Sequence, residues 1–288
     1  MEILNGNKVS RLIRYEIRQE VNKMLAEGKK APHLAAILVG DNGASHTYVS
    51  AKAKDCTEVG FNSTVLHFEE KITQQQLIAE IQKININHDI DGLIVQLPLP
   101  KHIDTNTITQ AIDWRKDVDG FHPMNVGLMF KGLDCFLPAT PFGIIKLLEH
   151  YNISLEGKHA VVIGRSDIVG KPISSLLLQK NCTVTTCHSK TKNLEAYTIE
   201  ADIIIAALGI PLFLKPQMVK QGAVVIDVGI TRVEDKNSNT GYKLLGDADF
   251  DSIKDKCSFI TPVPGGVGPM TRVALLLNTL RAAKINHF

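Results

Sequence analysis

Apolar residues recur along this chain with two spacings that alternate. From residue 9 to residue 27 they follow the period of an amphipathic helix, and Gly28 ends the pattern. His33–Val39 is instead a short continuous apolar run, which is typical of a buried strand. Strand and helix patterns keep alternating after it. Such an order predicts parallel, doubly wound α/β sheets that bind ligands beyond the carboxyl ends of their strands.

A tyrosine and a lysine stand one helical turn apart after the first strand. Residues 44–59 are predicted to form a helix with Ser45 as its N-cap and Gly60 as its end, so Tyr48 and Lys52 share one face. In isolation, such a pair is usually an aromatic ring that shields a lysine stem on a solvated helix. A phenol and an amine on one face can also act together in a reaction.

Gln96 favours the interpretation that Tyr48 and Lys52 act together in a reaction. It is a polar residue in the apolar strand predicted at 92–97, and Pro98 and Pro100 stop the strand because proline cannot donate to a ladder. Lys52 follows the carboxyl end of one strand and Gln96 occupies the end of another. In a parallel sheet these ends lie together, so we predict that the two residues share a site.

The loop at 116–123 contains two carboxylates, Asp117 and Asp119. It lacks the further acidic positions of a calcium loop, so we predict no metal there. Either carboxylate could belong to an Asx-turn. The alternative is a carboxylate that accepts N–H bonds from a heterocycle.

A glycine-containing turn follows the buried strand predicted at 159–164. Gly164 is expected to make the tight turn and Gly170 to allow close packing, with the free N–H groups of the next helix facing a pyrophosphate. Ser166 stands where the middle glycine of the dinucleotide fingerprint would be. The helix itself is predicted at 174–179.

The strand predicted at 183–187 indicates which nucleotide is bound. An NAD enzyme places a carboxylate about twenty residues after the first glycine, on the ribose hydroxyls. This chain has His188, Ser189 and Lys190 there, and Arg165 follows the first turn. These residues would attract a phosphate on that ribose, so we predict NADP rather than NAD.

The chain of 288 residues is long enough for two domains. Thr140 is predicted to cap a helix that begins at Pro141, and this marks the boundary. We predict an α/β domain at 1–139 and a Rossmann-type dinucleotide-binding domain at 140–270. A C-terminal helix at 271–288 is expected to pack back on the first domain.

Composition excludes several classes of partner. The net charge of +2 provides no general field for nucleic acid or a membrane surface, and no apolar run is long enough to span a bilayer. Five cysteines without a C-x-x-C pattern argue against disulfides and a zinc cluster. We therefore expect a cytoplasmic protein without a metal.

Six motifs together resemble one enzyme family, the bifunctional methylenetetrahydrofolate dehydrogenase/methenyltetrahydrofolate cyclohydrolases of the bacterial FolD type. The resemblance extends over essentially the whole chain. The motifs are Tyr48-x-x-x-Lys52, Val95-Gln96-Leu97-Pro98-Leu99-Pro100, Asp117-Val118-Asp119-Gly120, Gly164-Arg165-Ser166 through Pro172, Thr186-Cys187-His188-Ser189-Lys190-Thr191, and Pro262-Val263-Pro264-Gly265-Gly266-Val267-Gly268-Pro269-Met270-Thr271. Ala139 departs from the cysteine that many members have before the Thr-Pro pair, which puts in doubt only a role for a thiol there.

The resemblance implies that the domain at 1–139 is the substrate domain, that an active-site cleft lies between the two domains, and that individual residues have defined roles. Lys52 would be catalytic, with Gln96 as its hydrogen-bond partner, Tyr48 along the folate and Asp119 on the pterin. The remaining implied substrate contacts are Leu97, Pro98, Pro264, Gly265 and Gly266. The implied NADP contacts are Gly164, Arg165, Ser166, Ser189 and Ile230. The family is commonly a homodimer that acts on tetrahydrofolate derivatives and supplies purine biosynthesis.

The implied activity is oxidation of 5,10-methylenetetrahydrofolate by NADP followed by hydrolysis to the 10-formyl compound. Lys52 would work as a neutral amine, because an ammonium group would oppose the cation that forms on the folate. A short-chain dehydrogenase is rejected because its nucleotide motif precedes its Tyr/Lys pair. A monofunctional dehydrogenase of the same fold, a shikimate- or amino-acid-type NADP dehydrogenase, and a non-enzymatic NADP sensor remain as alternatives.

Overall fold

The computed structural model of the chain describes residues 1–235 and 241–286. The strands are β1 (Glu2–Ile3), β2 (His33–Val39), β3 (Asn62–Phe68), β4 (Gly92–Val95), β5 (His159–Ile163), β6 (Thr183–Cys187), β7 (Ile203–Ala206), β8 (Ala223–Asp227), β9 (Thr231–Glu234), β10 (Tyr242–Leu245) and β11 (Cys257–Ile260). The α-helices are α1 (Gly6–Ala26), α2 (Gly43–Val59), α3 (Gln74–Asn85), α4 (Thr105–Ala111), α5 (Pro123–Phe130), α6 (Ala139–His150), α7 (Gly170–Gln179), α8 (Leu194–Thr198), α9 (Phe250–Ile253) and α10 (Val267–Asn286).

The chain folds into two compact units. The first consists of residues 1–10 and 140–271, and we call it the six-stranded unit after its sheet. The second consists of residues 11–139 and the chain from residue 272 onward, and we call it the three-stranded unit. No helix in the described part of the chain is long and apolar enough to cross a membrane.

The sheet of the three-stranded unit has the order β3-β2-β4, and both pairings are parallel. β2 is the central strand and is almost entirely buried, which explains its continuous apolar sequence. The next strand in the chain lies on one side of β2 and the following one on the other. Such a reversal leaves a crevice at the carboxyl ends of β2 and β4, where open α/β sheets bind ligands.

The six-stranded unit has a larger sheet of the order β1-β11-β8-β7-β5-β6, again parallel throughout. Here the strand order reverses at β5, which has β6 on one side and β7 on the other. Buried aliphatic residues of β5, β7 and β8, such as Val161, Ile204 and Val225, form the core. The antiparallel pair β9-β10 lies outside this sheet.

The two-domain α/β architecture and the bounds of β2 and β6 agree with the sequence prediction. Four helix starts do not. α7 begins at Gly170 rather than at residue 174. α2 begins at Gly43, where Asn42 Oδ1 accepts a hydrogen bond from the backbone N–H of Ser45 at 3.2 Å, so Asn42 rather than Ser45 caps the helix. Asn and Ser are equally good caps, so sequence preference alone does not separate them.

The other two errors lie at helices that begin earlier than predicted. α6 begins at Ala139, and the hydroxyl of Thr140 lies 3.0 Å from that of Thr271 instead of capping the helix. α10 begins at Val267 rather than after residue 270, so Pro269 lies in its first turn. Proline is tolerated there because the N–H groups of a first turn have no partner within the helix.

Candidate active site

Lys52 and Gln96 are in direct contact at the carboxyl end of the small sheet. Lys52 Nζ donates a hydrogen bond of 3.1 Å to Gln96 Oε1, as the sequence predicted. The other end of the Gln96 amide is fixed, because Nε2 donates to the carbonyl of Leu97 at 2.7 Å. The amide oxygen is therefore the atom presented to the amine.

Both partners are positioned by regular structure. The backbone N–H of Gln96 donates to the carbonyl of Ile37 at 2.9 Å, which extends the pairing of β2 with β4 by one residue. Lys52 projects from α2, the helix that follows β2. The contact thus joins the helix after one strand to the end of its neighbour.

Tyr48 lies one turn before Lys52 on α2, and 46% of its surface is exposed. Its hydroxyl makes no hydrogen bond to any part of the chain that the structure describes. Pro98 is also exposed, while Leu97 is half-buried. An exposed ring and a proline beside the Lys52–Gln96 pair provide apolar surface for a flat ligand.

The two carboxylates of the 116–123 loop have different environments. Asp117 is buried and accepts hydrogen bonds from the backbone N–H groups of Phe121 (3.2 Å) and His122 (2.7 Å) and from the Asn125 amide (2.8 Å). These bonds stabilise the loop, so Asp117 is structural. Asp117 is not an Asx-turn residue, because its oxygens accept from residues four and five positions on rather than from the residue two positions on.

Asp119 is the other carboxylate, and it accepts no hydrogen bond from the described residues. Burial raises its pKa, and the positive charge of Lys52 opposes that shift. Asp119 lines a small cavity together with apolar side chains that include Val95, Leu97 and Phe121. A carboxylate without donors in such surroundings is suited to bind the N–H groups of a heterocyclic ligand.

The segment that carries Asp119 is fixed from both sides. Asn278 of α10 is buried, and its Nδ2 donates to the carbonyls of Val118 and Leu137, each at 2.8 Å. Gly120 has φ +74°, and a Cβ atom there would lie 2.6 Å from the backbone of Leu137. Only glycine therefore fits directly after Asp119.

An ion-pair network that the sequence analysis missed supports α2. Asp55, one turn after Lys52, is buried and lies 3.1 Å from Arg272 Nη1 and 3.9 Å from Arg14 Nη1. Burial raises the pKa of Asp55, while the charges of Arg272 and Arg14 lower it. These residues are far apart in sequence, so no local spacing indicates the network.

The glycines of the nucleotide motif behave as predicted in the six-stranded unit. Gly164 has φ +129°, and a Cβ atom there would lie 2.2 Å from the carbonyl oxygen of Ala207. A Cβ atom on Gly170 would lie 2.4 Å from the carbonyl oxygen of Gly164. The turn and the start of α7 can approach each other only because both residues lack a side chain.

The N-terminus of α7 differs from the prediction, because its first N–H groups are not free. Ser166 Oγ accepts from Val169 N (3.2 Å) and Gly170 N (3.3 Å), and the Ser166 carbonyl accepts from Lys171 N (3.1 Å). In contrast, the backbone N–H groups of residues 165–168 have no partner among the described residues. The donors available to an anion therefore lie in the loop rather than in the helix.

Arg165 and Ser189 lie at the ends of adjacent strands. Ile163 of β5 pairs with Cys187 of β6, and Gly164 N donates to the Cys187 carbonyl at 2.9 Å. Both Arg165 and Ser189 are exposed, and their side chains have no partner in the described ranges. The pair is thus available to a phosphate at this edge.

The remaining predicted contacts lie near the ends of β8 and β11. Ile230 is 42% exposed. Pro264 is exposed, whereas Gly265 has φ +105° and accepts a hydrogen bond from Asn7 N at 3.1 Å. A Cβ atom on Gly266 would lie 2.6 Å from the carbonyl of Pro262, so the chain itself requires glycine there.

Two buried carboxylates that the sequence analysis did not single out organise the loops around Ile230. Asp227 accepts backbone hydrogen bonds from Gly229 (3.0 Å), Asp247 (2.8 Å) and Ala248 (2.9 Å). Asp247 accepts from Leu208 and Gly209. Burial raises the pKa of Asp227 to about 6, the nearby Asp247 charge adds to the rise, and the backbone donors oppose it.

Two family models together match nearly the whole chain. The sequence model described as tetrahydrofolate dehydrogenase/cyclohydrolase, catalytic domain, matches residues 4–119, and the one described as tetrahydrofolate dehydrogenase/cyclohydrolase, NAD(P)-binding domain, matches residues 138–287. A bifunctional protein FolD of Phocaeicola vulgatus is 55% identical over 288 residues, which cover 99% of this chain and 98% of the relative.

Solved structures are similar over the same length. The bifunctional FolD enzyme of Campylobacter jejuni is 49% identical, with a TM-score of 0.95 and 99% of each chain covered. A Trypanosoma brucei methylenetetrahydrofolate dehydrogenase-cyclohydrolase, solved with NADP and an inhibitor, is 35% identical, with a TM-score of 0.94, and the match covers 98% of this chain and 97% of that one.

The buried Asp227 generates a prediction about pH. Because its pKa is raised in the folded state, the folded protein holds this proton more tightly than the unfolded chain does. This proton stabilises the folded protein fully below the ordinary pKa of aspartate, near 4. The stabilisation is lost as the pH rises through about 6. Asp227→Asn, which cannot ionise, should therefore gain up to about 3 kcal/mol relative to the wild type between pH 4 and pH 7.

Free energies of unfolding measured across this pH range would test the prediction. Asp251→Asn is the control, since the Asp251 side chain is 88% exposed and should give a nearly constant difference from the wild type. If Asp227→Asn became relatively less stable at pH 7, the three backbone donors would outweigh burial and the assigned direction would be wrong.

Proposed function

Because the chain belongs to the tetrahydrofolate dehydrogenase/cyclohydrolase family, we propose that Lys52, Tyr48, Gln96 and Asp119 form one site for both of its reactions. The enzyme oxidises 5,10-methylenetetrahydrofolate with NADP and hydrolyses the methenyl product to 10-formyltetrahydrofolate. The matches favour this pair of activities over a monofunctional or a shikimate-type dehydrogenase. The hydrogen bond between Lys52 and Gln96 carries the assignment of the site.

We assign the folate to the three-stranded unit and the nucleotide to the six-stranded unit. In this proposal, residues 11–139 and the chain from residue 272 onward hold the substrate, and residues 140–271 hold NADP, so the predicted domain at 1–139 loses its first ten residues to the six-stranded unit. The unpartnered Asp119 supports the first assignment, because a pterin ring presents adjacent N–H donors that its carboxylate can accept. Tyr48, Leu97 and Pro98 would supply the apolar surface along the ring.

The residues of the six-stranded unit fit a dinucleotide. The glycine turn, the free backbone N–H groups of residues 165–168 and the unpaired Arg165 suit a diphosphate and a ribose phosphate. When bound, NADP accepts the hydride from the folate. Gly164, Ser166, Ser189 and Ile230 would complete its contacts, and Pro264, Gly265 and Gly266 stay predicted substrate contacts.

Lys52 has a different task in each reaction. During oxidation, positive charge grows on the one-carbon bridge of the folate, so a neutral amine opposes the reaction less than an ammonium group would. Gln96 orients that amine through its amide oxygen and adds no charge. During hydrolysis, Lys52 takes a proton from the attacking water and returns it to the leaving nitrogen of the folate.

Replacement of Lys52 by methionine tests this role. Lys52→Met keeps the length of the side chain but removes the proton carrier, so hydrolysis of the methenyl compound should fall by about 10²- to 10⁴-fold. Loss of methenyltetrahydrofolate absorbance measures the rate. Lys54→Met is the matched control, because Lys54 is exposed on the same helix and should keep the wild-type rate. Hydrolysis at the wild-type rate in Lys52→Met would remove Lys52 from the mechanism.

Nucleotide choice is tested at Arg165. Arg165→Ala should raise the KM for NADP about 10- to 100-fold, the worth of one or two bonds to a charged phosphate, and leave the KM for NAD nearly unchanged. Lys158→Ala is the control. It removes the same charge at the opposite end of β5 and should leave the KM values for NADP and NAD unchanged. If both KM values rose equally in Arg165→Ala, the phosphate would be bound elsewhere.

We also infer a homodimer that works in the cytoplasm and supplies formyl groups for purine biosynthesis. The location of β6 at the edge of the six-stranded sheet supports dimerisation, because an unpaired edge offers backbone groups to a second copy. The five cysteines are unpaired and buried, as expected in a reducing compartment.

Sedimentation equilibrium tests the dimer. The measured mass should be twice the chain mass of 31.6 kDa, and a single species with the mass of one chain would contradict the dimer.

A further inference from the structure

Three side chains with metal-binding atoms lie together away from the Lys52–Gln96 pair. They are Asp41, which precedes α2, His46 in the first turn of α2, and His67 near the end of β3. One carboxylate oxygen and one nitrogen of each imidazole all lie within 4.8 Å of one another. The two histidines are 21 positions apart, so no compact sequence motif indicates the group.

The two distances from Asp41 match the spacing of ligands around one ion better than the length of a hydrogen bond. Asp41 Oδ1 lies 3.4 Å from His46 Nε2 and 3.4 Å from His67 Nε2. Nitrogen and oxygen ligands about 2.0–2.1 Å from a tetrahedral zinc ion lie roughly 3.3–3.4 Å from each other. An N–H···O hydrogen bond is usually shorter, about 2.9–3.0 Å.

The backbones of both histidines lie in regular structure before an ion arrives. His67 pairs with Leu38 in the parallel ladder of β2 and β3, and its Nε2 lies 3.1 Å from the carbonyl oxygen of Gly40. The backbone N–H of His46 donates to the carbonyl of Asn42 at 3.0 Å. The two rings meet edge to face with their centroids 4.9 Å apart. Such support reduces the entropy lost on binding.

We propose that Asp41, His46 and His67 bind a divalent transition-metal ion of the Zn²⁺ class. Two imidazoles and one carboxylate suit zinc and its neighbours, whereas magnesium and calcium prefer oxygen ligands alone. The side chains of Asp41, His46 and His67 are 88%, 42% and 43% exposed, so an ion reaches the site from solvent and water completes its coordination. His67 Nε2 gives up its bond to Gly40 when it binds.

The site would connect the start of α2 to the end of β3. His46 lies two residues before Tyr48 on the same helix, so a bound ion would stabilise the turn that carries the tyrosine. This inference does not depend on the proposed folate chemistry, because none of the three ligands takes part in it. It adds a metal site that the sequence analysis did not predict.

Zinc binding to the untagged full-length protein tests the proposal. Isothermal titration with Zn²⁺ should show one ion per chain. Asp41→Asn, His46→Gln and His67→Asn should each weaken the affinity by at least about 100-fold, because even outer-sphere partners of a metal site contribute about 10- to 100-fold. His88→Gln removes an exposed histidine outside the group and should leave the affinity unchanged.

Two further measurements use the same variants. Co²⁺ should produce the intense visible bands of four-coordinate cobalt in the wild type and in His88→Gln, but not in the three ligand variants. Zinc should raise the unfolding temperature of the wild type and of His88→Gln, but not that of the three ligand variants. The proposal is overturned if wild-type protein shows no saturable zinc binding, or if the three ligand variants bind zinc as tightly as His88→Gln does.

Discussion

The hydrogen bond from Lys52 to Gln96 depends on the strand order of a three-stranded parallel sheet. The chain leaves β2 into α2, returns as β3 on one side, and later forms β4 on the other. The helix after β2 and the end of β4 therefore face the same crevice. Two residues 44 positions apart in sequence meet there without a special loop. A neutral amide as the partner orients the amine and leaves the charge of the site unchanged.

The two carboxylates of the same region differ in their hydrogen bonds. Burial raises the pKa of both Asp117 and Asp119. Asp117 accepts from two N–H groups of its own loop and from Asn125 of α5, whereas Asp119 has no donor among the residues described. In the proposed function, a ligand with N–H groups would supply the donors that Asp119 lacks. The rigid support from Asn278 and Gly120 maintains this arrangement before the ligand binds.

Local signals in the sequence predicted the parts of the molecule that depend on local spacing. The bounds of β2 and the glycines at 164 and 170 follow from periodicity and backbone conformation. The contact of Lys52 with Gln96 follows from the rule that the carboxyl ends of parallel strands lie together. Other contacts between distant segments were not accessible in this way. Asp55 and Arg272 are 217 positions apart, and Asp227 and Asp247 are separated by the β9–β10 pair. Residue preferences also failed where two good caps compete, as for Asn42 and Ser45.

The altered dinucleotide fingerprint has a physical explanation in the bonds of Ser166. A glycine at this position would leave the first N–H groups of α7 open to an anion. The serine hydroxyl accepts two of them instead, and its carbonyl accepts the third. The helix still contributes its positive dipole end, but the hydrogen bonds to a diphosphate would come from the backbone of residues 165–168. The serine thus closes the turn, and Arg165 follows Gly164 at the strand end next to β6, where we propose that the ribose phosphate of NADP binds.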